Sequence, residues 1–315
     1  MKKSVRGKYH TGLQPIRVLK HNLTDRLLSR SKEFIELLQK DLQLSEHINY
    51  ISYPLPLINK QTPYVDKDGM IYIHETYLSY LWIISFSMFV LYEEGMAIPD
   101  QIKREISTHK SQNIELIELT EELFDYAKSL VRAYSKWDTE YFPNPEIFDE
   151  NTDEGFYILR ANDLYVEAMN FILFHEIAHA ELEHIKTRGE NNLKGDRVKA
   201  LEIEADSRAI SLLLENCRKP FVSHLAIVVG LASMLFVSHD LSGGSDHPDV
   251  DVRIENALDL IRPSEDSPIW AFLVLFLKLW DKQFSHNFVT STHYNNFKEL
   301  YYELLEQGKQ INKWS

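Results

Sequence analysis

The sequence has a single cysteine, Cys217, among 315 residues. That excludes a disulfide framework and any metal or iron–sulfur site built from several thiolates. Glycine and proline number only eleven each, and no glycine-rich phosphate loop is present. Collagen-like and low-complexity classes are excluded, as are the nucleotide sites built on such loops. No apolar stretch separates Met1-Lys2-Lys3 from Leu27-Leu28, so no secretory signal is expected. The three longest apolar runs are Leu81–Tyr92, Phe221–Val237 and Ile269–Leu277. They fall short of the roughly 18–20 apolar residues that cross a bilayer, so they are expected to be buried core helices rather than membrane spans. A cytoplasmic location follows as the expectation.

Positive charge is scarce too, with 34 Lys and Arg against 47 Asp and Glu, a formal net charge of −13. The shortage is uneven. Residues 1–32 hold nine basic residues and one Asp, 9 − 1 = +8, which leaves 25 − 46 = −21 for the remainder. An acidic body repels phosphate backbones, so no nucleic-acid partner is expected. The basic start reads as a solvated tail and the exposed face of a first helix. What is abundant is apolar residues, 44% of the chain, enough for a substantial core, and histidine, with thirteen. If this chain binds a metal, nitrogen and oxygen must hold it.

Periodicity predicts a mainly α (α+β) fold with a small N-terminal antiparallel sheet. Residues 1–48 form a basic arm and first helix, with helical spacing over Leu23–Leu44 and Asn22 as N-cap. Residues 49–315 form a single helical domain. Tyr50–Tyr53 and Leu55–Ile58 read as strands, and Tyr64-Val65, Asp66–Gly69 and Met70–His74 as a hairpin with an Asp-Gly turn. Helices follow at Thr76–Glu93, Ile114–Trp137, Asp163–Thr187, Asp196 to about 216, Phe221–Ser238, Val250–Ile261, Pro268–Phe284 and Tyr294–Gln307. Trp137–Gly155 reads as a loop.

The helix predicted over Asp163–Thr187 carries His175-Glu176-Ile177-Ala178-His179, the HExxH pattern. At about 100° per residue, positions four apart differ by only about 40° and rise about 6 Å. Both imidazoles then project from one face and can share a single Zn2+. Glu176 flanks that face, placed to act as a base without being a ligand. Ala168, Phe171, Ile172 and Leu182 share the histidine face, so the pair lies on the buried side. A third ligand is needed. His184 is one residue short of an extended His motif and is set aside. In Glu202-Ile203-Glu204-Ala205-Asp206, the helical wheel puts Glu202 on a stripe with Val198, Ala209 and Leu213, and Glu204 about 200° away on the wet side. A carboxylate on a buried stripe needs a partner. His175, His179 and Glu202 are therefore the expected ligands. Asp206, one turn on, is expected to accept the other ring N–H of a ligand histidine, and Glu204 to be surface charge. Ser245-Asp246-His247-Pro248 and Arg253 form a third motif over 246–254. His247 or Arg253 could stabilise charge developing on a carbonyl oxygen.

The order His175–His179, Glu202–Asp206, His247-Pro248 with Arg253-Ile254 resembles that of gluzincin membrane proteases, which carry strong transmembrane helices this chain lacks. A closer resemblance is to the phage-exclusion Lit peptidase family of soluble bacterial HExxH proteins. The similar parts are the Leu78–Glu93 helix, the HExxH helix, Glu202–Ala209 and Asp246–Asn256, about half the chain. The resemblance implies a zincin-like helical metallopeptidase with His175, His179 and Glu202 on zinc, Glu176 as base and His247 as a transition-state donor. It also implies a protein substrate, such as the translation factor elongation factor Tu, and a phage-derived activator.

The expected function is a zinc endopeptidase kept quiet until a trigger arrives. Its sheet is expected to offer an edge strand along which an extended substrate lies over the zinc. The competing reading is a zinc-stabilised binding or regulatory protein without turnover. Glu176 favours the enzyme, because a purely structural site has no use for an adjacent base.

Overall fold

The computed structural model describes residues 14–16, 19–57, 62–103, 111–215, 217, 220–290 and 294–311. The tail at residues 1–13 lies outside them, as do His10, His109 and His293. The elements run α1 (Leu19–Lys40), β1 (Ile48–Ile51), β2 (Tyr64–Val65), β3 (Ile71–His74), α2 (Glu75–Tyr92), α3 (Ile98–Lys103), α4 (Ile114–Arg132) and α5 (Asp153–Glu181). Then come α6 (His184–Glu190), α7 (Asp196–Leu214), α8 (Pro220–Ala232), α9 (Val250–Ile261), α10 (Pro268–Phe284) and α11 (Phe297–Ile311). The fold is mainly helical with one small sheet, as the periodicity indicated.

The chain groups into two compact units, one formed by Ile51–Thr62 and His74–Val166 with the chain before Leu23, the other by Leu23–Tyr50, Pro63–Ile73 and Glu167–Ser315. In the first unit α2 is the central rod. Sixteen of its residues are buried, because it is apolar on every face. His74 caps it, its Nδ1 accepting from the Thr76 amide at 3.1 Å. Trp82 stacks on Phe86 and leans on Trp137, while its indole N–H donates to Asn162 Oδ1 at 2.6 Å. Each such large buried side chain contributes about 1.5–3 kcal/mol. Asn113 caps α4 through the Leu116 amide at 3.0 Å.

Two helical stretches reach the length and apolarity of a bilayer crossing, contrary to the expectation that all would fall short. They are Glu75–Lys103, where a π turn at Glu93–Ala97 joins α2 to α3, and Pro220–Val237, where a 3-10 turn extends α8. In each, 67% of the apolar window is buried inside the protein, as in the core helix of a soluble fold.

In the second unit the sheet order is β1-β3-β2, with β2 and β3 antiparallel and the sheet as a whole mixed. The hairpin turn forms as its Asp-Gly sequence predicted. Asp66 Oδ1 accepts from the Asp68 and Met70 amides, and Gly69 takes φ +73°. A Cβ on Gly69 would lie 2.5 Å from the Gln43 carbonyl oxygen. Gly69→Ala is therefore expected to cost more than about 1 kcal/mol, read as a lowered urea midpoint; an unchanged midpoint would refute the steric account.

Several boundaries differ from the sequence reading. Helix α1 starts at Leu19, so Asn22 lies inside it and is not its cap. Within the described residues, Leu55–Leu57 is not a strand. The most consequential difference concerns the HExxH helix. It begins ten residues early, at Asp153, and does not continue to Thr187. It stops at Glu181, Glu183 turns into the left-handed region at φ 52°, and α6 starts afresh at His184. No Gly or Asn marks this break, which is why helical spacing alone runs through it.

Candidate metal centre

Every residue of the candidate site belongs to the second unit. Helix α5 presents His175 and His179 one turn apart. Helix α7 presents Glu202 and Asp206 on its buried stripe and leaves Glu204 exposed, as the wheel predicted. Hairpin strand β2 and the loop before α9 complete the walls. The resulting cavity has a volume of about 200 Å3; Tyr64, Val65, Glu176, His184, Arg188 and His247 are among its lining.

His175 Nε2 and His179 Nε2 are 3.1 Å apart. Glu202 Oε2 lies 3.7 Å from the first and Oε1 3.4 Å from the second. A tetrahedral ion with bonds of about 2.0–2.1 Å would separate its ligand atoms by about 3.3–3.4 Å. The three donors thus fit one metal ion, and the ligand atoms of this group all lie within 4.8 Å of one another. Burial and the charge of His175 push the His179 imidazole down to about 3, whereas Asp206 and Glu202 outweigh burial and push His175 up to about 10, so a metal held at His175 Nε2 would have to displace a proton there. A neutral ring with a free lone pair is the form that ligates. Burial alone would push the Glu202 carboxyl up, but the nearby His175 ring and the hydrogen bond with His247 hold it below the usual carboxylate range.

Glu176 lines the same cavity and is 7% exposed. Burial pushes its carboxyl up to about 7, against the pull of His175 and a backbone hydrogen bond to Val65. The group sits near neutrality, where one carboxyl can both accept and release a proton.

Behind the ligands, Asp206 Oδ1 lies 2.8 Å from His175 Nδ1. Arg253 donates through Nε to Asp206 Oδ2 and through Nη2 to Oδ1, both at 2.7 Å. Both Asp206 and Arg253 are buried, and the residues lining the cavity do not include Arg253. His247 does reach the cavity rim. Its side chain is 58% exposed and its Nδ1 lies 2.9 Å from Glu202 Oε2. The loop that carries it is tightly folded: a Cβ on Gly243 would lie 2.1 Å from the Pro248 carbonyl oxygen. Next to it, Arg188 pairs with Asp246 at 2.9 Å.

Helical spacing alone sets His184 aside and leaves Glu204 as surface charge. The break at Glu183 brings His184 back, so that its Nδ1 lies 3.0 Å from His179 Nδ1 and its Nε2 3.4 Å from Glu204 Oε2. In an unbroken helix, five residues would have turned it about 140° away from His179.

Two imidazoles and a carboxylate that can hold a metal, with an acid–base carboxyl beside them, form a constellation suited to hydrolysis. The Peptidase U49 family matches residues 71–273, a stretch that includes all of these residues. The chain belongs to that family and is a peptidase. No curated protein and no solved structure matches it.

Proposed function

We propose that this peptidase is a zinc-dependent endopeptidase acting on a protein substrate, with His175, His179 and Glu202 as the metal ligands. The observation that carries the reading is the convergence of two Nε2 atoms and one carboxylate at tetrahedral spacing, with Glu176 beside them. When bound, zinc supplies a Lewis acid that polarises the scissile carbonyl and acidifies the attacking water. Two histidines and a carboxylate in a chain with one cysteine suit that ion.

Glu176 takes the proton from the water and delivers it to the leaving amine. His247, at the rim, is the residue placed to donate an N–H to the carbonyl oxygen once its bond to Glu202 is released. Asp206 accepts the Nδ1 proton of His175 and fixes that ring, and Arg253 holds Asp206. Edge strand β2 lines the cavity with Tyr64 and Val65, and an extended substrate would pair along it. A substrate peptide N-methylated on either side of the scissile bond is therefore expected to be cleaved at least about tenfold more slowly, and equal rates would count against this pairing.

The resemblance to the phage-exclusion Lit peptidase family supports a role in antiviral defence, with cleavage of a host translation factor such as elongation factor Tu after a phage-derived signal. The test is to purify the protein, measure its zinc, and incubate it with lysates of infected and uninfected bacteria before and after chelation. One zinc per chain, a cleaved band after infection, loss of cleavage on chelation and recovery with added zinc are expected. Zinc without any cleavage would favour a zinc-stabilised binding protein. No zinc would sink the site assignment.

A further inference from the structure

We propose that His184 and Glu204 form a positioning relay that fixes the ring of His179 as a metal ligand. This inference rests on the reading of the site as a metal centre. An imidazole that ligates through Nε2 carries its proton on Nδ1, and that proton needs an acceptor when the ring is buried. For His175 the nearest carboxylate is that of Asp206, whose Oδ1 lies 2.8 Å from Nδ1. For His179, the atom facing Nδ1 is His184 Nδ1, at 3.0 Å.

Two ring nitrogens at that distance need one donor and one acceptor. With His179 donating, His184 must accept at Nδ1 and carry its own proton on Nε2. That Nε2 lies 3.4 Å from Glu204 Oε2, too poorly aligned for a hydrogen bond but close enough for the carboxylate charge to favour a proton there. The Glu204 charge thus favours the tautomer in which His184 Nδ1 is free to accept from His179.

The geometry is built by the fold. His184 is 3% exposed and meets His179 edge to face, with ring centroids 5.0 Å apart and planes at 74°. The left-handed residue Glu183 turns the chain to make this contact. The two ligand histidines are thus supported in different ways. His175 is backed by a buried ion pair, and His179 by a neutral ring that ends at a carboxylate 59% exposed to solvent.

The test compares zinc affinity, by competition with a chromophoric chelator, in wild type, His184→Phe, His184→Asn and Glu204→Ala. Phe keeps a ring against His179 and removes the acceptor. Asn restores an acceptor, its amide oxygen standing near the place of Nδ1. Loss of such a partner weakens metal binding about 10–100-fold, which is the result expected for His184→Phe. His184→Asn is expected to recover most of that loss, and Glu204→Ala to lose about twofold to fivefold, the range of an exposed charge pair. In the zinc-loaded, histidine-labelled protein, a slowly exchanging Nδ1–H resonance of His179 is expected in wild type and lost in His184→Phe.

Affinity for His184→Phe equal to wild type would overturn the relay. So would His184→Asn binding no better than His184→Phe, because a packing role alone predicts that. Should both position-184 variants fail to fold, Glu204→Ala at an exposed position decides, and wild-type affinity there overturns it. A wild type without zinc overturns the metal-centre reading itself, a separate and recognisable outcome.

Discussion

Glu176→Gln is expected to lower kcat/KM by about 10²–10⁴ while the protein keeps its full zinc content. The substitution preserves size and removes only the capacity to take a proton. Glu176 is buried in the cavity wall beside the three donors, and burial pushes its carboxyl up to about 7. That value belongs to the metal-free site; a dication held by the three donors would draw it down and keep the carboxylate ionised and able to take a proton. The stability of the variant should stay close to wild type, since the exchange removes a buried charge that Glu202 already disfavours. The check is a pair of measurements on the same preparations, steady-state cleavage and metal content. Activity within tenfold of wild type would remove Glu176 from the chemistry. Loss of zinc together with activity would make it a ligand instead.

Some of this site was legible in the sequence because it rests on local periodicity. His175 and His179 share a face in any α-helix, and the stripe of Val198, Ala209 and Leu213 separates buried Glu202 from exposed Glu204. Helices α9 and α10 begin and end where the sequence placed them. For α10 the reason is visible, since Ser267 caps it and Pro268 occupies its first turn. What stayed hidden depends on a few backbone angles. The break after Glu181 has no Gly or Asn to announce it, yet it alone decides whether His184 meets His179. The partner of Arg253 was hidden for a different reason. Forty-seven positions separate it from Asp206, and no rule of local spacing spans that distance. Local spacing offers it only as a donor to the substrate.

The environment of Arg253 makes a different use testable. Arg253→Met keeps most of the side-chain volume and is expected to cost about 3–5 kcal/mol of stability, because it strands the carboxylate of Asp206 in the interior. Asp206 is 0% exposed and its two oxygens receive Arg253 Nε and Nη2 at 2.7 Å each. Burial alone would push its carboxyl up, but the guanidinium and His175 hold it below the usual carboxylate range. A group depressed in the folded state contributes stability above its unfolded value, near 3.9, and loses it as pH falls through its folded one. The gap between wild type and Arg253→Met should therefore be largest near neutral pH and narrow as the solution is acidified. The measurement is the urea midpoint of metal-free protein at several pH values, so that bound zinc does not add its own stabilisation. In the double variant with Asp206→Asn the cost should be smaller than the sum of the singles, because neither partner is left charged and alone. A donor to the substrate would behave otherwise. Arg253→Met would then leave the urea midpoint unchanged and lower kcat by about 10²–10³, as loss of an oxyanion donor does. Only the first reading lowers the urea midpoint, and only the second lowers kcat while the midpoint stays put, so one set of unfolding and rate measurements assigns Arg253 either to the frame that holds His175 or to the transition state.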